Sequence, residues 1–501
     1  MQAPTGLYNT SLALLTDLYQ LTMAYGYWQA RVADREAVFN FTYRRNPFQG
    51  GFAIACGQSY LLDFLRNARF DDSDIAYLAE LRGNDERPLF AREFLDYLRT
   101  LRFACEVDAV LEGTVVFPHE PLVRVRGPII MAQLLETLLL NLMNFQTLIA
   151  TKAARICHAA HGEPVLEFGL RRAQGIDGGL AASRAAYIGG CASTSNVLAG
   201  KLFGIPIAGT HAHSWVMTFD SELEAFEAYA AAMPNNCIFL VDTYDTLEGV
   251  RRAAEVGRRL HERGHKLVGV RLDSGDLAYL SIHARRILDE AGLPDAKIVA
   301  SNDLDEFIIA SLKEQGAQIT VWGVGTRLVT GYDDPALGGV YKLAAIRTPG
   351  GPWRYTIKLS EQVVKINTPG ILQVRRFQYD GELMADMIYD ESRPPPTVCT
   401  VVDPADSTRR KVIPANSPHT DLLLPLFRDG RPAAESWTLA DARSRAQEQL
   451  ALLHPGIRRF INPHEYPVGL EQGLHDLKTE LILKARTKNG AATFTSRGDG
   501  P

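Results

Sequence analysis

Between residues 150 and 348 short apolar runs recur with a helical stretch after each, and this rhythm restricts the fold more than any other feature of the chain. The runs are "PVLEFGL", "IPIAGT", "CIFLVDTYD", "KLVGVRLDSGD", "KIVASNDL", "QITVWGVGT" and "GGVYKLAAI". Near-continuous apolar strands are those of a parallel sheet covered on both faces, and a closed barrel is the commonest way to hide so many of them. Glu167, Thr210, Asp242, Arg271, Asp273, Asn302 and Thr326 fall within or just beyond the C-terminal ends of these strands. That rim is where barrel active sites are built.

With 501 residues the chain exceeds what one hydrophobic core supports, so further domains flank the barrel. Residues 7–135 mix helical stretches ("LLTDLYQLTMAYGYW", "SYLLDFLRNA", Phe90 to Leu101) with alternating strands ("AVFNFTYRR", "EVDAVLEGTVVF"), an α+β pattern. Residues 355–485, richer in Pro and charge, read as a smaller C-terminal domain, and 486–501 as an unpacked, disordered tail. A net charge of −5 provides no footprint for nucleic acid or an anionic membrane. The first residues lack the pattern of a signal peptide, and "GPIIMAQLLETLLLNLMNF", interrupted by Gln133 and Glu136, reads as a buried helix rather than a span. Six cysteines without CxxC spacing point to a reducing, cytoplasmic setting.

Four motifs carry chemistry. In "AGTHAHSWVMTF", His211 and His213 would share a face if a strand continued through them, which suits either a metal pair or one reactive imidazole with a supporting one. "VRLDSGD" gathers Arg271, Asp273 and Asp276, a cation beside two carboxylates that could bind an acidic substrate and, through magnesium, a polyphosphate. "EFGLRRAQG" sets Phe168 beside Arg171 and Arg172, an aromatic face next to forks that match phosphate. "VWGVGTRL" places Gly323, Gly325 and Thr326 after a strand, where free backbone N–H groups can wrap a phosphate.

These stretches, together with "VDTYDTLEGV", "ASNDLDE" and "LGGVYKL", resemble the nicotinate phosphoribosyltransferases, a type II phosphoribosyltransferase family, in the family's order over most of residues 12–345. The resemblance implies an α/β fold: an irregular (β/α) barrel with an α+β N-terminal domain and a smaller C-terminal domain. It implies conversion of nicotinate and phosphoribosyl pyrophosphate to nicotinate mononucleotide and pyrophosphate, coupled to ATP hydrolysis as in a ligase, with Mg2+ as cofactor. His213 would be transiently phosphorylated, and a metal pair with His211 is disfavoured. Tyr19 and Phe168 would face the pyridine ring, and Thr210 and Arg271 would bind nicotinate. Arg171, Asn302, Gly323, Gly325 and Thr326 would hold phosphate and ribose. Asp273 would act at the ribosyl centre and, with Asp276, hold magnesium. Ser193, Thr194 and Ser195 stand where the related nicotinamide enzyme has an aspartate, which favours an acidic substrate here. A homodimer with sites shared between subunits completes the expectation. The alternatives are a nicotinamide phosphoribosyltransferase, a barrel amidohydrolase using "HAH" as metal ligands, and a non-catalytic sensor.

Overall fold

The computed structural model describes residues 10–362, 365–433 and 437–495. The chain forms two compact units: residues 148–335, and residues 2–147 joined with 336–501.

The first unit is a parallel βα array. Its strands are β1 (Val165–Glu167), β2 (Ser193–Thr194), β3 (Ile238–Leu240), β4 (Gly269–Leu272), β5 (Lys297–Ala300) and β6 (Val321–Val324). Between and after them run α1 (Gly175–Ile188), α2 (Val197–Phe203), α3 (His213–Met217), α4 (Glu222–Ala232), α5 (Thr246–Glu262), α6 (Leu277–Glu290), α7 (Glu306–Glu314) and α8 (Thr326–Val329). The strand order is β2-β1-β6-β5-β4-β3. Taken cyclically, each strand except at one place lies beside its sequence neighbour, the order of a sheet curled towards a barrel. Ile298, Val299 and Ala300 are all buried in succession, as expected of a strand covered on both faces.

The sheet is irregular at one seam, between β2 and β3. The expected strand "IPIAGT" reduces there to a single bridge, Thr194 to Ile207. Pro206 explains this, since it has no N–H to continue a ladder, though its carbonyl accepts from the Thr194 N–H at 3.0 Å. Further along the same segment, His211 Nε2 accepts the Leu240 N–H at 3.2 Å. A side chain thus completes what a strand would have done.

The second unit corrects the expected domain plan. The run "GGVYKLAAI" is not a barrel strand: Gly339–Arg347 pairs antiparallel with Glu36–Tyr43 in a seven-stranded sheet. Leu424–Arg428 joins the same sheet beside Glu106–Ala109. The N-terminal and C-terminal segments therefore share one sheet and one core, in which Phe39, Val107, Val125, Tyr341 and Leu426 pack together, instead of forming separate domains. A second, six-stranded sheet is built entirely from residues after 371. An apolar run fixes a strand but not its sheet, which is why spacing alone misplaced this one.

Helices stand close to where the periodicity puts them, at Leu18–Gln29, Gln58–Asn67 and Arg92–Thr100. Ile129–Ala159, a pair of abutting helices, is long and apolar enough to cross a membrane by length and composition, yet 56% of its most apolar window is buried within the protein. The last helix runs from Gln472 to Thr495, so the start of the expected unpacked tail is helical; helix propagates from an existing end at little cost. Residues 496–501 of that tail, and 7–9 of the expected N-terminal domain, lie outside the described residues. None of the six cysteines is in a disulfide.

Candidate active site

At the C-terminal rim of the first unit, Arg271 is held at three points. Its Nε donates to Ser301 Oγ at 2.9 Å, one terminal nitrogen to Thr210 Oγ1 at 2.8 Å and the other to Asp273 Oδ1 at 3.0 Å. Strands β4 and β5 and the seam segment thus converge on one guanidinium. Of its five N–H groups two remain for a ligand. The Phe168 ring, just past β1, lies 5.8 Å from the guanidinium carbon, within cation–π range.

Phe168 is positioned by its neighbours. Its N–H donates to the Val324 carbonyl at 2.8 Å. Its ring lies over Gly323, where an added Cβ would come within 2.9 Å of it. Glu167, a buried carboxylate, accepts from Ser183 Oγ at 2.9 Å, from Thr194 Oγ1 at 2.6 Å and from the Gly169 N–H. Its role is to tie β1, β2 and α1 beneath Phe168 rather than to react. Gly325 lies against Phe168 from the β6 side, where a Cβ would sit 3.2 Å from its carbonyl oxygen.

The acid–base groups form a second cluster beside Arg271. His213 opens α3, so the strand does not continue from His211 and the two imidazoles part. The His213 side chain is 41% exposed; its Nδ1 meets Thr243 Oγ1 at 3.1 Å, while Nε2 faces Asp273 at 3.9 Å and Asp242 at 4.0 Å. Asp242 accepts from the Asp273 N–H at 2.9 Å and from Ser274 Oγ at 2.6 Å through one oxygen. Its other oxygen, the one that faces His213, is buried and makes no hydrogen bond. Asp273 also accepts from Ser301 Oγ. Against desolvation, which alone would raise it, the Ser301 hydroxyl and the Arg271 guanidinium hold the Asp273 carboxyl below its ordinary value.

The rim therefore brings together Phe168, Thr210, His213, Asp242, Arg271 and Asp273. Ser301 and Thr243 were not anticipated, because a hydroxyl residue after a strand is the commonest turn residue and carries no distinguishing signal. The remaining expected residues are placed differently. Asp276 caps α6, accepting from the Tyr279 N–H at 3.0 Å. Arg171 is exposed on the turn Leu170–Arg172. Asn302 is exposed next to Ser301 with φ of 95°, a left-handed conformation that costs a non-glycine residue energy. Thr326 begins α8. Tyr19 belongs to the second unit, half-exposed on the helix Leu18–Gln29. Among the described residues, no group of three or more His, Cys, Asp or Glu is disposed to hold a metal ion.

The second unit contributes a feature that spacing did not reveal. A cavity of about 350 Å³ is lined by Arg44, His119, Lys342, Lys365 and Lys478, together with Asn40 and Thr42. Burial pushes the Lys478 ammonium down to about 8.

A parallel βα barrel with an arginine, two aspartates and a histidine on its C-terminal rim is the construction of a type II phosphoribosyltransferase. The crystal structure of human nicotinic acid phosphoribosyltransferase superposes with a TM-score of 0.81 at 35% identity, covering 93% of this chain and 99% of that one. Nicotinate-nucleotide pyrophosphorylase from Pyrococcus furiosus shares the fold, with a TM-score of 0.65 at 21% identity over 88% of this chain and 95% of that one. Family models for the nicotinate phosphoribosyltransferase (NAPRTase) N-terminal domain and C-terminal domain match residues 14–144 and 373–478. The nicotinate phosphoribosyltransferase of Bacillus subtilis (strain 168) is 43% identical across 96% of this chain and 98% of its own length. The chain belongs to the nicotinate phosphoribosyltransferase family.

Proposed function

We propose that the protein transfers the phosphoribosyl group of phosphoribosyl pyrophosphate to nicotinate, releasing pyrophosphate and forming nicotinate mononucleotide for NAD synthesis. The observation that carries this reading is Arg271, locked by Ser301, Thr210 and Asp273 with two N–H donors left over and an aromatic face beside it. A planar fork next to a ring matches an aromatic carboxylate. The relatives named for nicotinate support the same substrate.

In this account Arg271 grips the carboxylate and Phe168 stacks on the pyridine, so the ring nitrogen meets the ribose C1 in line. The C1–N bond forms as the C1–O bond to pyrophosphate breaks. Asp273, kept ionised by its donors, stabilises the cationic ribosyl centre. Magnesium fits the residues present: the buried Asp242 oxygen that makes no hydrogen bond and the Asp273 carboxylate would supply two carboxylates, and Mg2+ ordinarily takes one or two beside substrate phosphates. When bound it neutralises charge on the departing pyrophosphate. Asp242 takes the part that spacing assigned to Asp276, whose Oδ1 caps a helix.

ATP coupling belongs to His213. Asp242 and Asp273 favour the proton on Nε2, which leaves Nδ1, beside the Thr243 hydroxyl, as the nitrogen that accepts the phosphoryl group. Arg171, Asn302, Gly325 and Thr326 complete the phosphate side. The protein acts as a cytoplasmic homodimer in which Tyr19 serves the partner's site. An exposed apolar stripe of Leu15, Leu18, Tyr19 and Met23 supports that assembly.

The testing experiment compares nicotinate with nicotinamide, each with phosphoribosyl pyrophosphate, magnesium and ATP, following pyrophosphate release. The acid should be strongly preferred. Equal turnover of the amide would overturn the substrate assignment.

A further inference from the structure

We infer that His211 is a positioning residue for the proposed reaction: its neutral imidazole closes the seam between β2 and β3 and thereby fixes the segment that carries Thr210 and His213. The inference rests on the reading of the rim as a nicotinate site, but its geometry is independent of that reading.

Leu240 ends β3, and on the side away from β4 its N–H faces the seam, where no strand ladder reaches it. A buried N–H left without an acceptor is costly. His211 Nε2 supplies that acceptor at 3.2 Å. An amide can only donate, so Nε2 must carry the lone pair and Nδ1 the proton. That proton points to the Ala212 carbonyl, 3.3 Å away. The ring is 8% exposed and packs among Phe226, Tyr229 and Phe239. The segment is then stitched at three successive places: Thr210 to Arg271, His211 to Leu240 and His213 to Thr243. Removing the middle stitch frees both outer ones.

Protonation would undo the same stitch, since a proton on Nε2 would oppose the Leu240 N–H. The titratable and charged groups facing the ring are Arg271 from β4, Tyr229 from α4 and His213 on its own segment. Burial first, then the charges of Arg271 and His213, hold the imidazole below its ordinary value, against the pull of the Ala212 carbonyl. The closure therefore persists at neutral pH and fails in acid.

The test uses the full-length protein, wild type and two variants, His211→Gln and His211→Leu. The Gln amide oxygen can replace Nε2 as acceptor; Leu fills the space without one. Long-range ¹H–¹⁵N spectra of histidine-labelled protein, assigned by the signal lost in His211→Gln, should show His211 as the neutral Nδ1–H tautomer at a pH of about 6.5. In nicotinate turnover His211→Leu should lose on the order of tenfold to a hundredfold in kcat/KM, while His211→Gln stays within about threefold of wild type. Between a pH of about 7.5 and about 5.5, His211→Gln should lose less activity than wild type, a comparison that stands even if His211→Leu does not fold. An Nε2–H tautomer, equal losses in Gln and Leu variants, or identical acid limbs would overturn the inference. If wild type fails to turn over nicotinate, the functional reading falls and the tautomer still decides the seam.

Discussion

Arg271 is the residue on which the site depends, because three partners from three segments set its direction before any ligand arrives. Arg271→Ala should cost on the order of 2–5 kcal/mol in apparent binding or turnover of nicotinate, as expected for a buried charge pair broken on one side, and less with the amide. Paired kinetics on acid and amide measure this, and an unchanged preference would move selectivity to Ser193, Thr194 and Ser195. At His213, γ-labelled ATP should leave an acid-labile label that His213→Ala abolishes and His211→Gln, which keeps an acceptor for the Leu240 N–H, retains; equal labelling of both variants contradicts the assignment. Asp273 makes a pH prediction. Its folded value lies below the ordinary aspartate value of about 3.9, so its stabilising contacts are fully present above that pH and are lost as pH falls through the lower folded value. The difference in melting temperature between wild type and Asp273→Asn should stay level from neutral pH down to about 5 and shift only below about 4. A shift that begins near pH 6 would show that the contacts with Ser301 and Arg271 do not hold in solution.

Secondary elements position these residues through close approaches that tolerate no added volume. Helix α5 lies against β3 so tightly that a Cβ on Gly249 would come within 2.1 Å of the Val241 carbonyl oxygen. Gly249→Ala should therefore destabilise by about 1–3 kcal/mol or more in urea unfolding, because backbone has to move. A Cβ on Gly323 would crowd the Phe168 ring at 2.9 Å, a side chain that can turn aside, and would lie 3.4 Å from the Ala300 carbonyl oxygen, an ordinary contact. Gly323→Ala should leave the unfolding midpoint near wild type and raise the nicotinate KM; the reverse pattern would mean that Phe168 does not face the ligand. Much of this level was legible beforehand, since β1, β3, β4, β5 and β6 are short Val/Ile/Leu runs that only a strand buried on both faces requires. The rim positions of Arg271, Asp273 and Thr210 followed from their places at strand ends, and that of Phe168 from the aromatic beside the arginines of "EFGLRRAQG". Asp276 caps a helix through one oxygen, and an Asp before a helical stretch is a capping signal first. Ser301, Thr243 and the His211 seam were hidden because they depend on which distant strands meet.

The whole molecule joins two units, of which the second is assembled from both ends of the chain, a pairing across some three hundred residues that local periodicity cannot report. Tyr19 lies on this second unit and is exposed. If it completes the partner's site, Tyr19→Ala should fold normally and lose roughly 0.5–1.5 kcal/mol of stacking. Mixed dimers of Tyr19→Ala and Arg271→Ala chains should be more active than the mean of the two parent dimers, since one of their two sites is intact; verified heterodimers no more active than that mean would place Tyr19 in its own chain's site or in none. The central claim, that this protein makes a nucleotide from a free pyridine acid, is tested most directly by its product. Purified protein given nicotinate, phosphoribosyl pyrophosphate and magnesium, with and without ATP, should yield nicotinate mononucleotide and pyrophosphate by mass spectrometry, with ATP driving the conversion further and releasing ADP. Absence of that nucleotide under both conditions, with the protein folded, would contradict the account.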